Sequence, residues 1–408
     1  MRIKVSFALL LLTSATVLYS AQQDNRSSAN SEAAQARDEI QGLERLLPQL
    51  PDRGPALFEL AHDYALWGDW NKALALLKQC VALNEGFDPE GDPILQRLNH
   101  DREYTALVKQ IHRQFPPVRR ARLAFIVPEN NLIPEGLAAD PSRHIFYMGS
   151  LSRKKIVKIG PNREVSDFLY ARQYDLQSIR GIKVESGNGD VWANTCPNNG
   201  KGAELLRFDT QGKLLERFGA TTSGPHLFND LVLRGSEEIY LTDSLDNKAL
   251  RFDRKTRTFA ALPLSRALYY PNGIALSGDG NLLYVADAFG VLQYDLRSQW
   301  GREVQASKSN TISGFDGLYW YRGRLVGIQN SLGMSRVAEF ELAADGSRVT
   351  ASTALEYRSE FVEFRTTGSI DEANFYFMAN THLGNWKDEK IVDPKKLEAV
   401  RIAVIHLD

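Results

Sequence analysis

The sequence predicts a mainly β protein: a six-bladed β-propeller preceded by a small all-α domain. Three observations support this prediction. A strand–turn–strand pattern recurs six times, its copies are spaced by 43 to 51 residues, and a helical segment precedes the first copy. Repeats of this period that consist of short strands are typical of propeller blades. The chain of 408 residues is long enough to hold both domains.

The clearest copy of the repeat is PHLFNDLVLRGSEEIYLTDS, residues 225–244. The polar pair Asn229-Asp230 precedes an apolar strand, and a turn leads to a second strand that ends at Asp243. In an antiparallel hairpin the start of the first strand lies beside the end of the second. We therefore expect these three side chains at one edge of the blade. Asp243 and its counterpart Asp287 are expected to bind backbone amides there.

Each copy places one lead residue at the start of its first strand. Because the first strand of a blade lines the central tunnel, the six lead side chains are expected to form a ring at one mouth of that tunnel. These residues are Glu135, Arg180, Asn229, Asn272, Asp316 and Thr367. Two carboxylates and two amides are the oxygen ligands that calcium prefers. The ring therefore predicts a site for Ca²⁺, or another divalent cation, formed by Glu135, Asn229, Asn272 and Asp316.

The composition is that of a globular protein without an excess of basic residues. Hydrophobic residues make up 43% of the chain, charged residues 24%, and the net charge is −1. Nothing in this balance predicts a nucleic-acid partner. The two cysteines, Cys80 and Cys196, fall in different predicted domains. We expect free thiols there, because only a restricted geometry permits a disulfide.

The N-terminus indicates export. Residues 1–4 are basic in character, and the apolar run 5–18 is shorter than a helix that spans a bilayer. We interpret residues 1–21 as a signal peptide, with an uncleaved N-terminal anchor as the alternative. The protein is then expected to be periplasmic or secreted, with no transmembrane span beyond this segment.

A helical domain is predicted before the propeller. Residues 22–32 are polar and serine-rich, which predicts a flexible linker, and residues 33–116 are predicted to be helical. Within them, residues 56–83 match a tetratricopeptide-like helix–turn–helix with Gly68 near the turn. Two roles remain open for this domain: a cap that covers the propeller, and a module that binds a protein partner.

The propeller is predicted to span residues 117–408. The strand at 122–127 precedes the first copy of the repeat, and the strand-like tail at 399–407 follows the last one. We expect these two segments to pair, so that the sixth blade takes strands from both ends of the domain. Such closure removes exposed sheet edges.

The propeller segment resembles the gluconolactonase/regucalcin (senescence-marker-like) family, and more distantly the paraoxonases, the diisopropyl-fluorophosphatases and the strictosidine-synthase-like proteins. The matching pieces are IPEGLAADP at 133–141, FNDLVL at 228–233, YPNGIALSGDGNLLYVAD at 270–287 and GFDGLYW at 314–320. The resemblance implies that Glu135, Asn229, Asn272 and Asp316 hold a catalytic divalent cation. It also implies that Asp230 supports this site or a second, structural ion in the tunnel.

Two positions depart from the family's pattern. Paraoxonase-like members have a histidine at the lead position of the second blade, where this chain has Arg180. Gluconolactonase-like members have a substrate-binding arginine where this chain has Leu227. The resemblance therefore does not carry over sugar-lactone specificity or a histidine-based mechanism.

These features predict a calcium-dependent hydrolase of a lactone or ester, gluconolactonase-like or arylesterase-like, with a small-molecule substrate. Calcium in such a ring would polarise a carbonyl oxygen. The candidate catalytic residues are Asp316 as base or nucleophile, Arg180 as a binder of carboxylate or phosphate, and His226 and His382 if their loops fold over the mouth. The alternative is a non-catalytic propeller that binds a ligand or a protein and holds a structural metal.

Overall fold

The structure is a computed structural model that describes residues 25–408, apart from 51, 171–172, 198–199, 201, 307–309, 332 and 360–361. Side chains are described from residue 36 onward. The signal peptide or anchor predicted for residues 1–21 lies outside the described residues. Within the described part of the chain, no helix is long and apolar enough to cross a membrane.

The N-terminal layer is helical. Its α-helices are α1 (Asn25–Leu46), α2 (Gly54–Trp67), α3 (Trp70–Ala82) and α4 (Arg102–Gln114). Gly68 ends α2 in the left-handed conformation, with φ of 97°, and the Asp69 side chain caps α3 by accepting a hydrogen bond from the backbone N–H of Lys72. A helix–turn–helix is therefore present where the sequence predicts it. Its assignment to the tetratricopeptide class stays a prediction.

The first helix differs from the sequence-based expectation. It begins at Asn25, so that most of the predicted linker, residues 22–32, is helical. The helix as a whole contains four alanines, three glutamates and three arginines, which favour helices, and no proline. The helix is anchored further along the chain by Ile40 and Leu43, which are buried in one core with residues of α2. High polarity therefore indicates exposure in this segment and does not exclude a helix.

Six antiparallel sheets form the propeller. Two short strands precede the first complete blade: β1 (Val118–Arg119) and β2 (Arg122–Val127). From the tunnel outward, the first blade consists of β3 (Pro134–Asp140), β4 (Ile145–Ser150), β5 (Ile156–Ile159) and β6 (Val165–Leu169), and the second of β7 (Ile179–Val184), β8 (Val191–Thr195), β9 (Glu204–Phe208) and β10 (Leu214–Gly219).

The next two blades repeat this order. The third consists of β11 (Phe228–Arg234), β12 (Glu238–Asp243), β13 (Lys248–Asp253) and β14 (Thr258–Ala261), and the fourth of β15 (Ile274–Leu276), β16 (Leu282–Asp287), β17 (Gly290–Asp295) and β18 (Trp300–Glu303). The fifth blade consists of β19 (Phe315–Tyr321), β20 (Arg324–Gln329), β21 (Arg336–Leu342) and β22 (Val349–Tyr357), to which β1 adds a further strand.

The sixth blade closes the ring with strands from both ends of the propeller. From the tunnel outward it consists of β23 (Gly368–Asp371), β24 (Asn374–Met378), β27 (Val400–His406) and β2, and a small separate hairpin, β25 (Trp386–Lys387) with β26 (Lys390–Ile391), precedes its third strand. Strand β2 pairs with β27 along its length, with Arg122 opposite Val404 and Val127 opposite Val400. The predicted six-bladed fold and its closure are thus confirmed.

The helical layer packs on the fourth and fifth blades. Phe289 and Met334, which follow the second strands of these blades, are buried in the same hydrophobic core as the helices. The backbone N–H of Asp88 donates to the carbonyl of Gly333 at 2.9 Å, which joins the two layers directly. The last helix ends at Gln114 and β1 begins at Val118, on either side of the predicted domain boundary at 116/117. The helices therefore cap the propeller; their role in binding a protein partner stays a prediction.

Neighbouring inner strands approach one another closely around the tunnel. A glycine follows the lead residue in five of the six blades, namely Gly136, Gly181, Gly273, Gly317 and Gly368. A Cβ atom on Gly136 would lie 1.9 Å from the carbonyl oxygen of Arg180, and one on Gly181 would lie 2.6 Å from the carbonyl oxygen of Asn229. At Gly136, Gly181 and Gly273 the absence of a side chain lets the inner strand contact the backbone of the next blade.

Gly136→Ala is expected to lower the free energy of unfolding by about 1–3 kcal/mol, because the added methyl group overlaps a backbone carbonyl that cannot rotate away. Urea denaturation followed by circular dichroism measures this change. Gly219→Ala is the matched control, because a Cβ at that glycine of β10 meets no atom within 4 Å. Equal stability of the two variants would contradict the close approach of the strands.

Candidate active site at the tunnel mouth

Four lead residues lie at irregularities in the pairing of the innermost strands. The register between the first and second strands shifts at Glu135, Arg180, Asn229 and Asp316. A β-bulge bends the strand and changes the direction of the side chain at that point. In the fourth blade the backbone N–H of Asn272 donates to Ala286 at 2.9 Å, just before β15 begins. Local backbone geometry thus places these side chains at the start of the tunnel.

Asp316 is held between two amide side chains. Its Oδ1 accepts a hydrogen bond from Asn272 Nδ2 at 2.8 Å, and its Oδ2 accepts one from Asn330 Nδ2 at 2.5 Å. Burial, and then the negative charge of Glu135, raise the pKa of Asp316 well above its ordinary value. The amide oxygen of Asn272 is buried and has no hydrogen-bond partner among the described residues.

Glu135 and Arg180 face each other across the first two blades. Glu135 Oε1 is 3.8 Å from Arg180 Nη1, whereas Glu135 Oε2 is buried without a hydrogen-bond partner in the described structure. Burial raises the pKa of Glu135 above its ordinary value. The positive charge of Arg180 opposes this shift, and the negative charge of Asp230 adds to it. Arg180 also donates a hydrogen bond to the buried thiol of Cys196. The guanidinium group therefore brings a positive charge to the ring.

The remaining lead residues are held by hydrogen bonds, within the third blade for Asn229 and between the sixth and first blades for Thr367. Asn229 Nδ2 donates to Ser244 Oγ at 3.1 Å, and the hydroxyl of Thr367 donates to the backbone carbonyl of Glu135. Asn229 and Thr367 are 6% and 8% exposed, so both are buried in the ring. The predicted lead residues are therefore brought together by the fold.

The chemistry of these donors suits a hard divalent cation. Glu135 and Asp316 are buried carboxylates close enough for the charge of one to raise the pKa of the other, and a cation would offset that repulsion. Glu135 Oε2 and the amide oxygen of Asn272 are buried acceptors without donors among the described residues. Carboxylate and amide oxygens are the ligands that Ca²⁺ prefers. The predicted ligand residues thus fit calcium, while its binding stays a prediction.

A cavity of about 390 Å³ lies between the tunnel mouth and the helical layer. Tyr270, Asn272 and Asn330 line it from the propeller, and Glu59 and His62 of α2 line it from the helical side. No lysine or arginine occurs among the described residues of its wall. Enclosed cavities of this size hold small molecules, so the cap and the propeller together form a chamber suited to a substrate.

Tyr270 connects this cavity with the charged ring. Its side chain lines the cavity, and burial raises its pKa to about 12, with the charges of Arg180, Asp316 and Glu135 also acting on the hydroxyl. The hydroxyl group therefore lies close to three of the lead residues. Among the lead residues, Asn272 is the one that lines the cavity itself.

The two candidate histidines have partners elsewhere in the propeller. His226 Nδ1 lies 2.5 Å from Asp243 Oδ2, and its Nε2 lies 3.0 Å from the carbonyl oxygen of Thr222. His382 Nε2 lies 3.2 Å from the backbone nitrogen of Glu398. Neither histidine is among the described residues that line the cavity. Their catalytic roles stay predictions, which these contacts do not support.

The sequence also predicts two carboxylates that bind backbone amides and two free cysteines. Asp243 Oδ1 accepts the backbone N–H of Leu227 at 2.9 Å, and Asp287 accepts those of Tyr269 and Phe289, each at 3.0 Å. The expected role of these two carboxylates in binding backbone amides is confirmed. Both cysteines are buried free thiols, as expected.

Asp230 occupies the position that is glycine in the other five blades, and it pairs with a lysine in the tunnel. Lys183 Nζ lies 2.9 Å from Asp230 Oδ1 and 5.9 Å from the centre of the Tyr319 ring. Asp230 Oδ2 is buried without a hydrogen-bond partner in the described structure. An ammonium group of the protein therefore balances this carboxylate. A second, structural ion at Asp230 stays a prediction, and the charge of Lys183 makes it less necessary.

Sequence reasoning missed several residues of this site. Asn330 had a signal, because it directly follows the second strand of its blade and therefore lies beside the lead residue. Glu59 and His62 had a weaker signal. They are three residues apart in a predicted helix, and residues at that spacing share one face of the helix. Tyr270 and Lys183 had none, because nothing in the local pattern distinguishes them from other residues of the blades.

The comparisons with known proteins agree with this architecture. No family model and no curated protein matches the sequence. The solved structure of a gluconolactonase from Xanthomonas campestris is similar to this chain with a TM-score of 0.50 at 15% identity, covering 72% of this chain and 91% of that one. A luciferin-regenerating enzyme gives a TM-score of 0.50 at 12% identity, covering 71% and 95%. Likeness at such low identity supports the propeller fold, and the chemistry depends on the residues of the site.

Lys183→Met is expected to lower the free energy of unfolding by about 3 kcal/mol, because it leaves the buried carboxylate of Asp230 without its counter-charge. The double variant Lys183→Met/Asp230→Asn should recover most of this loss, since it removes both charges. Lys78→Met is the control, because Lys78 belongs to an exposed ion pair whose loss costs about 1 kcal/mol or less. Urea denaturation of the four proteins gives the values. Similar losses for the two lysine variants would argue against the tunnel ion pair.

Proposed function

We propose that the protein is a calcium-dependent hydrolase of a neutral lactone or carboxylic ester, which it binds between the helical cap and the tunnel mouth. One observation carries this proposal. The buried amide oxygen of Asn272 has no donor among the described residues, and Asn272 is both bonded to Asp316 and part of the cavity wall. It therefore joins a carboxylate-rich ring to a chamber of substrate size.

The protein's own residues prepare this ring. Asp316 fixes the orientation of Asn272 and Asn330 by accepting a hydrogen bond from each amide. Glu135, Asn229, Asn272 and Asp316 are the residues that would hold the cation. When bound at such a site, calcium polarises a carbonyl oxygen and stabilises the negative charge that develops on it. The helical layer covers part of the tunnel mouth, and reduced contact with water strengthens electrostatic interactions in the cavity.

The cavity wall favours a neutral substrate with an apolar part. Phe58, Phe315, Met334 and Phe364 supply apolar surface. The carboxyl groups in the wall belong to Glu59, Asp88, Asp92, Asp287 and Glu363. Four of these carboxyl groups form ion pairs, with His62, Arg266, Arg358 and Arg401, so the apolar surface rather than the charge of the wall selects the substrate. An aliphatic lactone or an aryl ester therefore suits the cavity better than a sugar acid or a phosphate monoester.

A second candidate function is that of a non-catalytic propeller that binds a ligand or a protein. The position of Arg180 favours it, because a guanidinium group 3.8 Å from Glu135 supplies positive charge to the ring without a metal ion. A cation in the ring would then be structural, and the cap would serve recognition. This candidate and the hydrolase differ in whether the bound ligand is converted.

Calcium is expected to raise the free energy of unfolding by about 3 kcal/mol at a hundredfold excess over its Kd, because it binds the folded state alone. Asp316→Ala should lose most of this gain. Asp279→Ala, which removes a carboxylate from an exposed turn, should keep it. Thermal unfolding with calcium and with a chelator measures the effect. A melting temperature of the unaltered protein that is the same in both conditions would exclude a metal site of useful affinity.

Acid release in a pH-stat is expected to show calcium-dependent hydrolysis of δ-valerolactone or phenyl acetate, with lower rates for glucono-δ-lactone and for an aryl phosphotriester. Asp316→Ala should lower kcat at least a hundredfold, as the loss of an electrostatic stabiliser does in other enzymes. Asp279→Ala is again the control. No turnover of any of the four compounds by a protein that binds calcium would favour the binding propeller.

A further inference from the structure

Ionisable groups of the helical layer lie in the cavity wall. Glu59 and His62 reach it from α2, and Asp92 reaches it from the segment that follows α3. They are 4%, 7% and 7% exposed, so all three are buried. Glu59 and His62 are three residues apart and therefore share one face of the helix. Burial of such groups costs free energy that a merely structural helix avoids by using apolar residues.

His62 is oriented by a carboxylate that is itself fixed. His62 Nδ1 lies 2.6 Å from Asp92 Oδ2, and Asp92 Oδ1 accepts the backbone N–H groups of Ile94 and Leu95 at 2.8 and 3.0 Å. Among the described residues, His62 Nε2 has no hydrogen-bond partner. A carboxylate that binds one ring nitrogen and leaves the other directed at a cavity is the arrangement by which hydrolases orient a histidine for proton transfer.

Glu59 offers a proton acceptor to the cavity, whereas His62 offers a proton donor. Its Oε1 is buried and has no hydrogen-bond partner among the described residues. Burial raises the pKa of Glu59 to about 7; the charge of His62 opposes this shift, and those of Asp92 and Glu39 of α1 add to it. Burial lowers the pKa of His62, but the bond to Asp92 and the charges of Asp92, Glu59 and Asp63 raise it to about 9. Near neutral pH, Glu59 can therefore accept a proton while His62 carries one.

We infer that Glu59 and His62 are the acid–base pair of the active site, and that Asp92 is the residue that positions His62. This inference rests on the proposed ester or lactone hydrolysis. The Glu59 carboxylate takes a proton from the attacking water as the new acyl C–O bond forms. His62 Nε2 gives its proton to the leaving alkoxide oxygen as the old acyl C–O bond breaks. The products are an acid and an alcohol, and solvent returns the pair to its starting protonation state.

The test compares the full chain with Glu59→Gln and His62→Gln, each with calcium bound and with δ-valerolactone and phenyl acetate as substrates. Each variant should lower kcat about a hundredfold or more, as the loss of a general acid or base does. In the unaltered protein kcat should rise with pH up to about 7 and fall above about 9. Glu59→Gln should remove the rise, because no carboxyl group remains to ionise. His62→Gln should remove the fall, because no imidazolium remains to lose its proton.

Asp63→Asn is the matched control. Asp63 is a buried acid on the same helix, 1% exposed, and is not among the described residues of the cavity wall. Burial, and then the charge of Glu59, raise its pKa well above the ordinary value, so the change to asparagine removes little charge at neutral pH. This variant should keep kcat within a few-fold and retain both limbs of the pH profile, with the upper limb at a lower pH because the charge of Asp63 helps to raise the pKa of His62. A merely structural role of Glu59 and His62 would lower the melting temperature and leave the limbs in place.

The outcomes separate this inference from the proposed function. Turnover by the unaltered protein, with both pH limbs retained in Glu59→Gln and His62→Gln, overturns the acid–base pair and leaves the hydrolase intact. No turnover by the unaltered protein on either substrate contradicts the hydrolase and the acid–base pair with it. The rise and the fall of the pH profile are tested by different variants. If one variant does not fold, the other still tests the inference. The calcium-dependent rise in melting temperature, expected in both variants, confirms that each is folded.

Discussion

The architecture of the site depends on the close contact between neighbouring inner strands at the tunnel. Glycine after the lead residue lets the backbone of one strand touch the backbone of the next, as Gly136 does at Arg180 and Gly181 at Asn229. This approach sets the diameter of the tunnel and hence the distance between lead side chains on different blades. Without it, Glu135 and Asp316 would be too far apart for the charge of one to raise the pKa of the other.

The helical layer changes the electrostatics of that ring. An open tunnel mouth would leave the lead residues in water, where their charges are screened. Here α2 and the segment around Asp92 cover the mouth and are held by the buried contacts of Phe289 and Met334. The same cover buries Glu59 and His62: burial raises the pKa of Glu59, whereas the pKa of His62, which burial alone would lower, is raised by Asp92 and the neighbouring charges. The cap thus closes the cavity and supplies it with titratable groups, whereas the propeller supplies the oxygen donors.

Much of the propeller could be predicted from the sequence, because its blades repeat. The repeat spacing placed Asn229, Asn272 and Asp316 at one edge, and the order of strands at the two ends required β2 and β27 to pair. What one blade or helix presents to another could not be predicted, since it depends on loop conformation and on packing between domains. For this reason Tyr270 had no interpretable signal and His62 had only a weak one.

Polarity was also a poor guide at the N-terminus. It predicted a linker where α1 is helical, because a polar helix needs only one packed face to be stable and Ile40 and Leu43 supply that face beyond the polar stretch. The same limit applies to the ring. Residue type identified Asp230 as an additional oxygen donor, but the lysine that reaches it comes from another blade. Partners that lie far apart in sequence decide whether a carboxylate is a ligand or half of an ion pair.

The charges in the tunnel favour one cation over two. Three carboxylates, those of Glu135, Asp230 and Asp316, meet two protein cations, Arg180 and Lys183. Lys183 is in direct contact with Asp230, and Arg180 stands at 3.8 Å from Glu135, whereas both oxygens of Asp316 accept from neutral amides. Asp316, on the side of Asn272, is therefore the carboxyl group whose hydrogen-bond partners among the described residues carry no positive charge. This is also the side that opens into the cavity, so a cation bound there would balance the ring where a substrate can reach it.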